Sequence, residues 1–356
     1  MKTAKQISLL ERYRSFIDLP ENSGIVTLKE GNTPLVYLQT ISDPQKGIAV
    51  YAKCEGANPT GSFKDRGMTL AVTIAVSEGA GAIICASTGN TSASAAAYAA
   101  RCGIAAYVII PDGKIALGKL AQAMMHGAKV IQISGNFDTG MELVKQMAGE
   151  GLVTLVNSIN PHRLHGQKTA AFEIIDELKR APDYHFLPVG NAGNISAYWI
   201  GYSQYMSKGL SRSRPIMVGC QAFGAAPFVA GNVIDEPDTI ATAIRIGKPQ
   251  SWDYAIKAKN ESGGWFRSST DDQIIAAQKH LAENEGIFCE PASAVCVAGL
   301  IEELERGGIN EDSTIVCTLT GHGLKDPDVA IQQSQQAIKI NADYDSVRGV
   351  ILTDSE

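Results

Sequence analysis

The sequence predicts an α/β protein of two domains, each an open, mostly parallel, twisted sheet with helices on both faces. Three observations carry that expectation. Apolar runs of strand length alternate with runs of helix length along most of the chain. The strand runs are continuously apolar, as strands covered on both faces must be. Glycine is abundant, 35 of 356 residues, and it clusters in short groups directly after those runs, where backbone can approach a ligand closely.

In order, EGNTPLVYL (30–38) reads as a turn leading into a strand that crosses back to the second domain. AGAIICAS (80–87) reads as a buried strand and TSASAAAYAARCG (91–103) as an alanine-rich helix. IAAYVIIP (104–111), KVIQIS (129–134) and LVTLVNS (152–158) are strands, separated by the helices KIALGKLAQAMMHGA (114–128) and GMELVKQMAGE (140–150). The rhythm resumes with a helix over 165–180, the strand HFLPVG (185–190), a helix over 195–209 and the strand PIMVGCQA (215–222). Two helices follow, over 270–286 and 293–308, and then the strand STIVCTLTG (313–321). No low-complexity linker interrupts the series. The seam falls near NSINPH (157–162), which gives a smaller domain over 52–157 and a larger one over 1–51 plus 158–356.

Composition narrows the function. Hydrophobic residues make up 45% and charged residues 19%, enough for a large core. A net charge of −6 without a basic block argues against nucleic acid as a partner. No apolar run has membrane-spanning length and the start lacks a signal-peptide core, so a cytoplasmic protein is expected. The seven scattered cysteines, with no CxxC among them, read as reduced core residues. His162 and His165 stand three apart with no accompanying constellation of ligands, so no metal is expected.

The chemistry centres on NPTGSFKDRGM (58–68). Ser62 and Asp65 have the spacing of a capping box, which starts a helix at Phe63 and puts Lys64 in its first turn. Lys64 then shares one stripe with Met68, Ala71, Val72 and Ala75, while Arg66 falls on the opposite side. A lysine on a buried stripe loses hydration, and the positive end of the helix dipole also favours its neutral form. A neutral amine can bond a carbonyl covalently. The alternative is a helix-end lysine whose charge snorkels to water.

Two glycine loops follow strands and open helices, STGNTSAS (87–94) and PVGNAGNIS (188–196). Each is suited to an anion at a helix N-terminus or simply to a tight turn. Neither matches GxGxxG or the GK[ST] of a nucleotide-binding loop. With an inward lysine, they point to a carbonyl cofactor bearing one phosphate, pyridoxal 5'-phosphate. A third loop, TLTGHGLKD (318–326), puts Thr320 at the carboxyl end of a strand, where ligands sit in open α/β sheets. His322 reads as a loop residue beside the cofactor, and Glu290 and Ser293 of CEPASAV as helix caps, with a supporting role near the cofactor as the alternative. The acidic tail after residue 340 reads as a solvated extension or a dimer-packing arm.

SFKDRG, STGN, GNAGN and LTGHGLKDP together resemble the pyridoxal-phosphate enzymes of the tryptophan-synthase-β type, fold type II. Within them, GNAGN and VNSINPHRLHGQKTAAFEI (156–174) are most similar to the threonine synthases. The resemblance implies that Lys64 links to the cofactor and acts as the recurrent acid and base. It implies that Asn90 bonds the cofactor's ring oxygen, that Gly190, Asn191, Ala192, Gly193 and Asn194 hold its phosphate, and that Thr320 faces its pyridine nitrogen. Ser87, Thr88 and Thr91 are then candidates for the substrate's carboxylate or phosphate. Asn157, Ser158 and Arg163 are candidates for the phosphate of O-phospho-L-homoserine. The implied reaction removes phosphate from Cγ and adds water at Cβ to give L-threonine, in a homodimer. A serine/threonine dehydratase and a silent metabolite-binding protein on the same scaffold are the other readings.

Overall fold

In a computed structural model, which describes residues 7–21, 23–112, 117–334 and 337–353, ten strands form two sheets. In chain order they are β1 (Leu35–Tyr37), β2 (Ala49–Cys54), β3 (Ala82–Ala86), β4 (Ala105–Pro111), β5 (Lys129–Ile133), β6 (Thr154–Leu155), β7 (Tyr184–Pro188), β8 (Ile216–Ala222), β9 (Trp265–Ser269) and β10 (Thr314–Leu319). One sheet has the order β1-β2-β10-β7-β8-β9 and the other β5-β4-β3-β6. Every pair is parallel except β1 on β2. The expected α/β class with open, mostly parallel sheets is what the chain adopts, and EGNTPLVYL does cross back to the larger sheet as β1.

The sequence reading missed two strands. In β2, Lys53 interrupts the apolar run; in β9, WFRSS sets two aromatics beside three polar residues in a mostly half-buried strand at a sheet edge. The helix Trp252–Ser262 was missed as well. LVTLVNS contributes only the two residues of β6. The helix expected over 165–180 is two helices, Pro161–Gln167 and Thr169–Leu178, meeting at Lys168. Among the described residues no helix is long and apolar enough to cross a membrane. Residues Pro327–Glu356 form a separate compact unit, whose helix Tyr344–Thr353 exposes Tyr344, Val347, Ile351 and Leu352.

The helix Lys64–Ser77 differs most from expectation, and it positions the site. Every residue from Asp65 to Ala75 is buried. Met68, Ala71, Val72 and Ala75 pack with Ile83, Cys85 and Val108 of the smaller sheet. Leu70 and Ile74 pack on another face with Phe172 and Tyr198. A stripe argument assumes water on the far side of a helix; this helix has protein all round.

Its charged residues are therefore paired internally. The expected capping box does not form: the N-cap is Phe63, with no side-chain cap bond. The Asp65 carboxylate instead accepts from Thr60 N (2.7 Å), Thr60 Oγ1 (2.6 Å) and Ser94 Oγ (2.6 Å). Arg66 does not face solvent. It donates two bonds to Glu55 (2.6 and 2.7 Å) and two to Glu173 (2.8 and 2.6 Å). Lys53 donates to Glu173 at 2.9 Å and to the Thr33 carbonyl at 2.7 Å. Two cations thus face two carboxylates in the interior, with their donors and acceptors engaged.

The helix Pro161–Gln167 meets this one at two glycines. A Cβ on Gly166 would lie 2.0 Å from the Arg66 carbonyl oxygen, and one on Gly67 would lie 2.7 Å from that of Arg163. Only glycine permits the approach.

Burial by itself would raise the Glu173 pKa, but Arg66 and Lys53 outweigh it and hold the carboxyl well below its usual range. The ion pairs therefore stabilise the fold above the ordinary glutamate pKa, and that contribution is lost as pH falls from there toward the depressed value. Glu173→Ala leaves Arg66 and Lys53 with an unbalanced buried charge and should cost about 3–5 kcal/mol in urea unfolding at pH 7. A loss below about 1 kcal/mol would mean that the network is not what holds this helix.

Candidate active site

Lys64 opens its helix, with its backbone N–H directed at Ser62 Oγ (3.4 Å) and its amine 4.2 Å from the centre of the Phe63 ring. The residue is half-buried, but protein encloses the amine closely enough for desolvation to dominate. Burial pushes the amine down to about 7; the charge of Arg163 acts in the same direction and the Glu290 carboxylate opposes it. The amine is thus poised to be neutral, as a nucleophile or base requires.

Arg163 is fully buried and carries the other unusual charge. Nη1 donates to the Val156 carbonyl at 2.7 Å, while Nε and Nη2 have no hydrogen-bond partner among the described residues. Burial pushes even this guanidinium down to about 10, with Cys85 and Asp65 opposing. The glycine contact brings it to the Lys64 helix: a Cβ on Gly67 would be 2.8 Å from Arg163 Nε. A buried guanidinium with no carboxylate and two idle donor atoms suits an anionic guest.

Three strand ends supply the remaining candidates. After β3, Ser87 and Thr88 lead to Gly89, the N-cap of the helix Asn90–Cys102. Gly89 N–H donates to Ser87 Oγ at 3.3 Å. Ser87, Thr88 and Thr91 are half-buried at this helix start, near the positive end of its dipole. Asn157 spends its amide on β3, accepting from Ala86 N and donating to Ala86 O, both at 2.9 Å. Ser158 accepts a hydrogen bond from Asn191 Nδ2, so the NSIN segment is tied to the GNAGN loop.

That loop follows β7 and starts the helix Gly193–Ser207. Ala192 takes a left-handed conformation (φ 65°) to make the turn, and Asn191 Oδ1 accepts from Gln250 N at 2.7 Å. At Gly190 a side chain would strike Ile244, its Cβ 2.9 Å from the Ile244 Cα. Asn194 Nδ2 is buried with no partner among the described residues. An idle buried donor at the N-terminus of a 15-residue helix, with a lysine in the same unit whose amine burial pushes down to about 7, fits the phosphate and the aldehyde of pyridoxal phosphate.

After β10, the Thr320 carbonyl accepts from Phe63 N at 2.9 Å, and Ser62 bridges Gly321. The strand end carrying Thr320 is thus stitched to the residues that precede Lys64. Thr320 Oγ1 lies 2.9 Å from Ser293 Oγ and 3.4 Å from Glu290 Oε1. Glu290 does not cap its helix as expected: it occupies the N-cap position, but its side chain makes no cap bond. It accepts from Asn90 Nδ2 at 3.2 and 3.1 Å instead. An acidic residue set in the otherwise uncharged run CEPASAV was the available signal. His322 Nδ1 accepts from Leu324 N at 3.2 Å, a loop contact, and His165 Nδ1 lies 3.1 Å from Lys168 Nζ.

Similarity to known proteins agrees with this chemistry. Residues 26–321 match the family model described as pyridoxal-phosphate dependent enzyme. The chain is 54% identical over 336 residues to threonine synthase of Mycobacterium leprae (strain TN), covering 94% of this chain and 93% of that one. It is 53% identical over 350 residues to threonine synthase of Bacillus sp. (strain ULM1), covering 97% and 99%. Among solved structures, maize serine racemase superposes with a TM-score of 0.70 at 20% identity, covering 91% of this chain and 93% of that one. Threonine deaminase isoform 2 from Solanum lycopersicum superposes with a TM-score of 0.71 at 20% identity, covering 90% and 99%. The structural likenesses speak for the fold, the sequence identities for the activity, and the chain belongs to the pyridoxal-phosphate-dependent enzymes and, within them, to the threonine synthases.

Proposed function

We propose that this threonine synthase converts O-phospho-L-homoserine and water into L-threonine and inorganic phosphate. The observation that carries the choice of substrate is Arg163, a buried guanidinium with no carboxylate partner among the described residues, beside a lysine of depressed pKa. A substrate phosphate brings the counter-charge that the protein withholds. Phosphate leaves Cγ, and water supplies the hydroxyl at Cβ and the remaining proton, so the overall reaction balances.

Pyridoxal phosphate supplies, when bound, an electron sink for charge developing on the amino-acid substrate. Lys64 would hold its aldehyde, and the lysine amine would take and return protons at the substrate carbons. Gly190, Asn191, Ala192, Gly193 and Asn194 hold the cofactor phosphate, with Asn194 Nδ2 as an idle donor for it. Asn90 and Thr320 meet the ring. Thr320 offers a neutral hydroxyl, bonded to Ser293, where a carboxylate would hold a proton on the ring nitrogen. A neutral partner there would leave the bound cofactor a weaker electron sink, which would suit elimination over transamination. Ser87, Thr88 and Thr91 receive the substrate's anionic groups at a helix start. Arg163 meets the leaving phosphate, Ser158 of the preceding turn is tied to Asn191, and Asn157 steadies that turn through Ala86.

We take residues 52–157 and residues 1–51 plus 158–356 as the working domains; the four-stranded sheet, β3 to β6, lies within the first, while the cut at residue 52 falls inside β2 of the six-stranded sheet. A cytoplasmic homodimer is the form in which we expect the enzyme to act.

Incubating the holoenzyme with O-phospho-L-homoserine should release phosphate and threonine in equal amounts, and Lys64→Ala should abolish both turnover and the visible absorption of bound cofactor. Formation of 2-oxobutyrate from threonine, with no phosphate released, would instead identify a dehydratase. Arg163→Met removes a buried unpaired charge at similar length. Its cofactor absorption should persist while KM for the phosphorylated substrate rises roughly 30- to 1000-fold. Loss of the absorption with an unchanged KM would assign Arg163 to the cofactor's phosphate.

A further inference from the structure

Glu290 is a buried carboxylate that neither the capping expectation nor the reaction explains. It has no cation within ion-pair distance among the described residues. Burial pushes its carboxyl up; the Asn90 hydrogen bond and, at longer range, Lys325 and Lys64 oppose that shift and favour the ionised form, while Asp326 adds to it. Its direct partners are Asn90 Nδ2, held by both oxygens, and Thr320 Oγ1 at 3.4 Å from Oε1. Asn90 follows a strand of the four-stranded sheet, and Thr320 follows one of the six-stranded sheet.

We propose that Glu290 is a positioning residue for the cofactor site, joining Asn90 to Thr320 and fixing which end of the Asn90 amide turns inward. The proposal rests on the assignment of Asn90 and Thr320 to the cofactor. An ionised carboxylate only accepts hydrogen bonds, so it selects the NH2 end of a facing amide and forbids the flipped form. A neutral amide in its place would tolerate either end.

Two further features indicate that the fold accommodates this carboxylate specifically. A Cβ on Gly321 would lie 2.5 Å from Glu290 Oε1, so a glycine keeps its place open. Glu290 N donates to the Gly321 carbonyl at 3.0 Å, and Gly321 N donates to Ser293 Oγ at 2.9 Å, which holds the segment after Thr320 against the start of the Glu290 helix. The positive end of that 15-residue helix offsets part of the cost of burying the charge.

The test is a titration of apo-protein with pyridoxal phosphate, read by visible absorption and tryptophan fluorescence. The wild type, Asn90→Ala, Glu290→Gln and the double variant are compared. Each single change should weaken cofactor binding roughly 10- to 100-fold, as loss of a hydrogen bond to a charged group does. The double variant should bind no more weakly than the worse single one, because Glu290 acts through Asn90. If Glu290→Gln does not fold, Glu290→Asp, which keeps the charge and shortens the reach, is read in the same titration and should also bind more weakly than wild type. Unchanged affinity and absorption maximum in the Glu290 variant, with Asn90→Ala impaired, would overturn the positioning role alone. Multiplying losses in the double variant would overturn it too. No effect of Asn90→Ala would overturn the assignment beneath it.

Discussion

The site depends on burial of the Lys64 helix on every side. A helix with no wet face must satisfy each of its charges inside the protein or keep them neutral. Asp65 is satisfied by Thr60 and Ser94, and Arg66 by Glu55 and Glu173. Lys64 has no such partner among the described residues, and burial pushes its amine down to about 7. The pairing of its two neighbours pins the first turn, so that the lysine is held in place without a counter-ion of its own. Arg163, drawn against the same helix by Gly67 and Gly166, also has no carboxylate partner among the described residues. A phosphorylated substrate and a phosphorylated cofactor together match such a deficit of negative charge.

The sheets bring the other groups to this helix. Parallel strands deliver their carboxyl ends to one side, and the loops after β3, β7 and β10 supply Asn90, the GNAGN turn and Thr320. The join between the end of β10 and the start of the Lys64 helix is a hydrogen bond between segments distant in the chain: Phe63 N, one residue before Lys64, meets the Thr320 carbonyl. Glu290 closes the arrangement from the neighbouring helix. The energetic logic is that of preorganisation, in which charged and polar groups are fixed by the fold before any ligand arrives.

Much of this was legible in the chain because the relevant signals are local. Continuous apolar runs gave the parallel strands, and helical spacing put Lys64 on a buried stripe with Met68, Ala71, Val72 and Ala75. The same reasoning failed for Arg66 and Asp65, since a stripe has an outside only when the helix borders water. β2 was hidden by Lys53, whose charge is answered by Glu173 at a separation of 120 residues. Glu290 was read as a cap because its position, just before Pro291, is a capping position; what its side chain bonds is decided by Asn90, 200 residues away. Long-range partners of buried charges leave no periodic trace in the sequence, and they are what the structure adds.

The most direct test of the central claim is the pH dependence of Lys64 reactivity in the apo-protein. Reductive methylation with isotope-labelled formaldehyde, followed by NMR titration of the labelled Lys64 amine, reports its ionisation against that of the surface lysines. An inflection close to 7, well below the surface lysines near 10.4, is the result expected of a buried amine with Arg163 nearby and no ion-pair partner. An inflection shared with the surface lysines would show that Lys64 keeps its hydration, and would contradict the account.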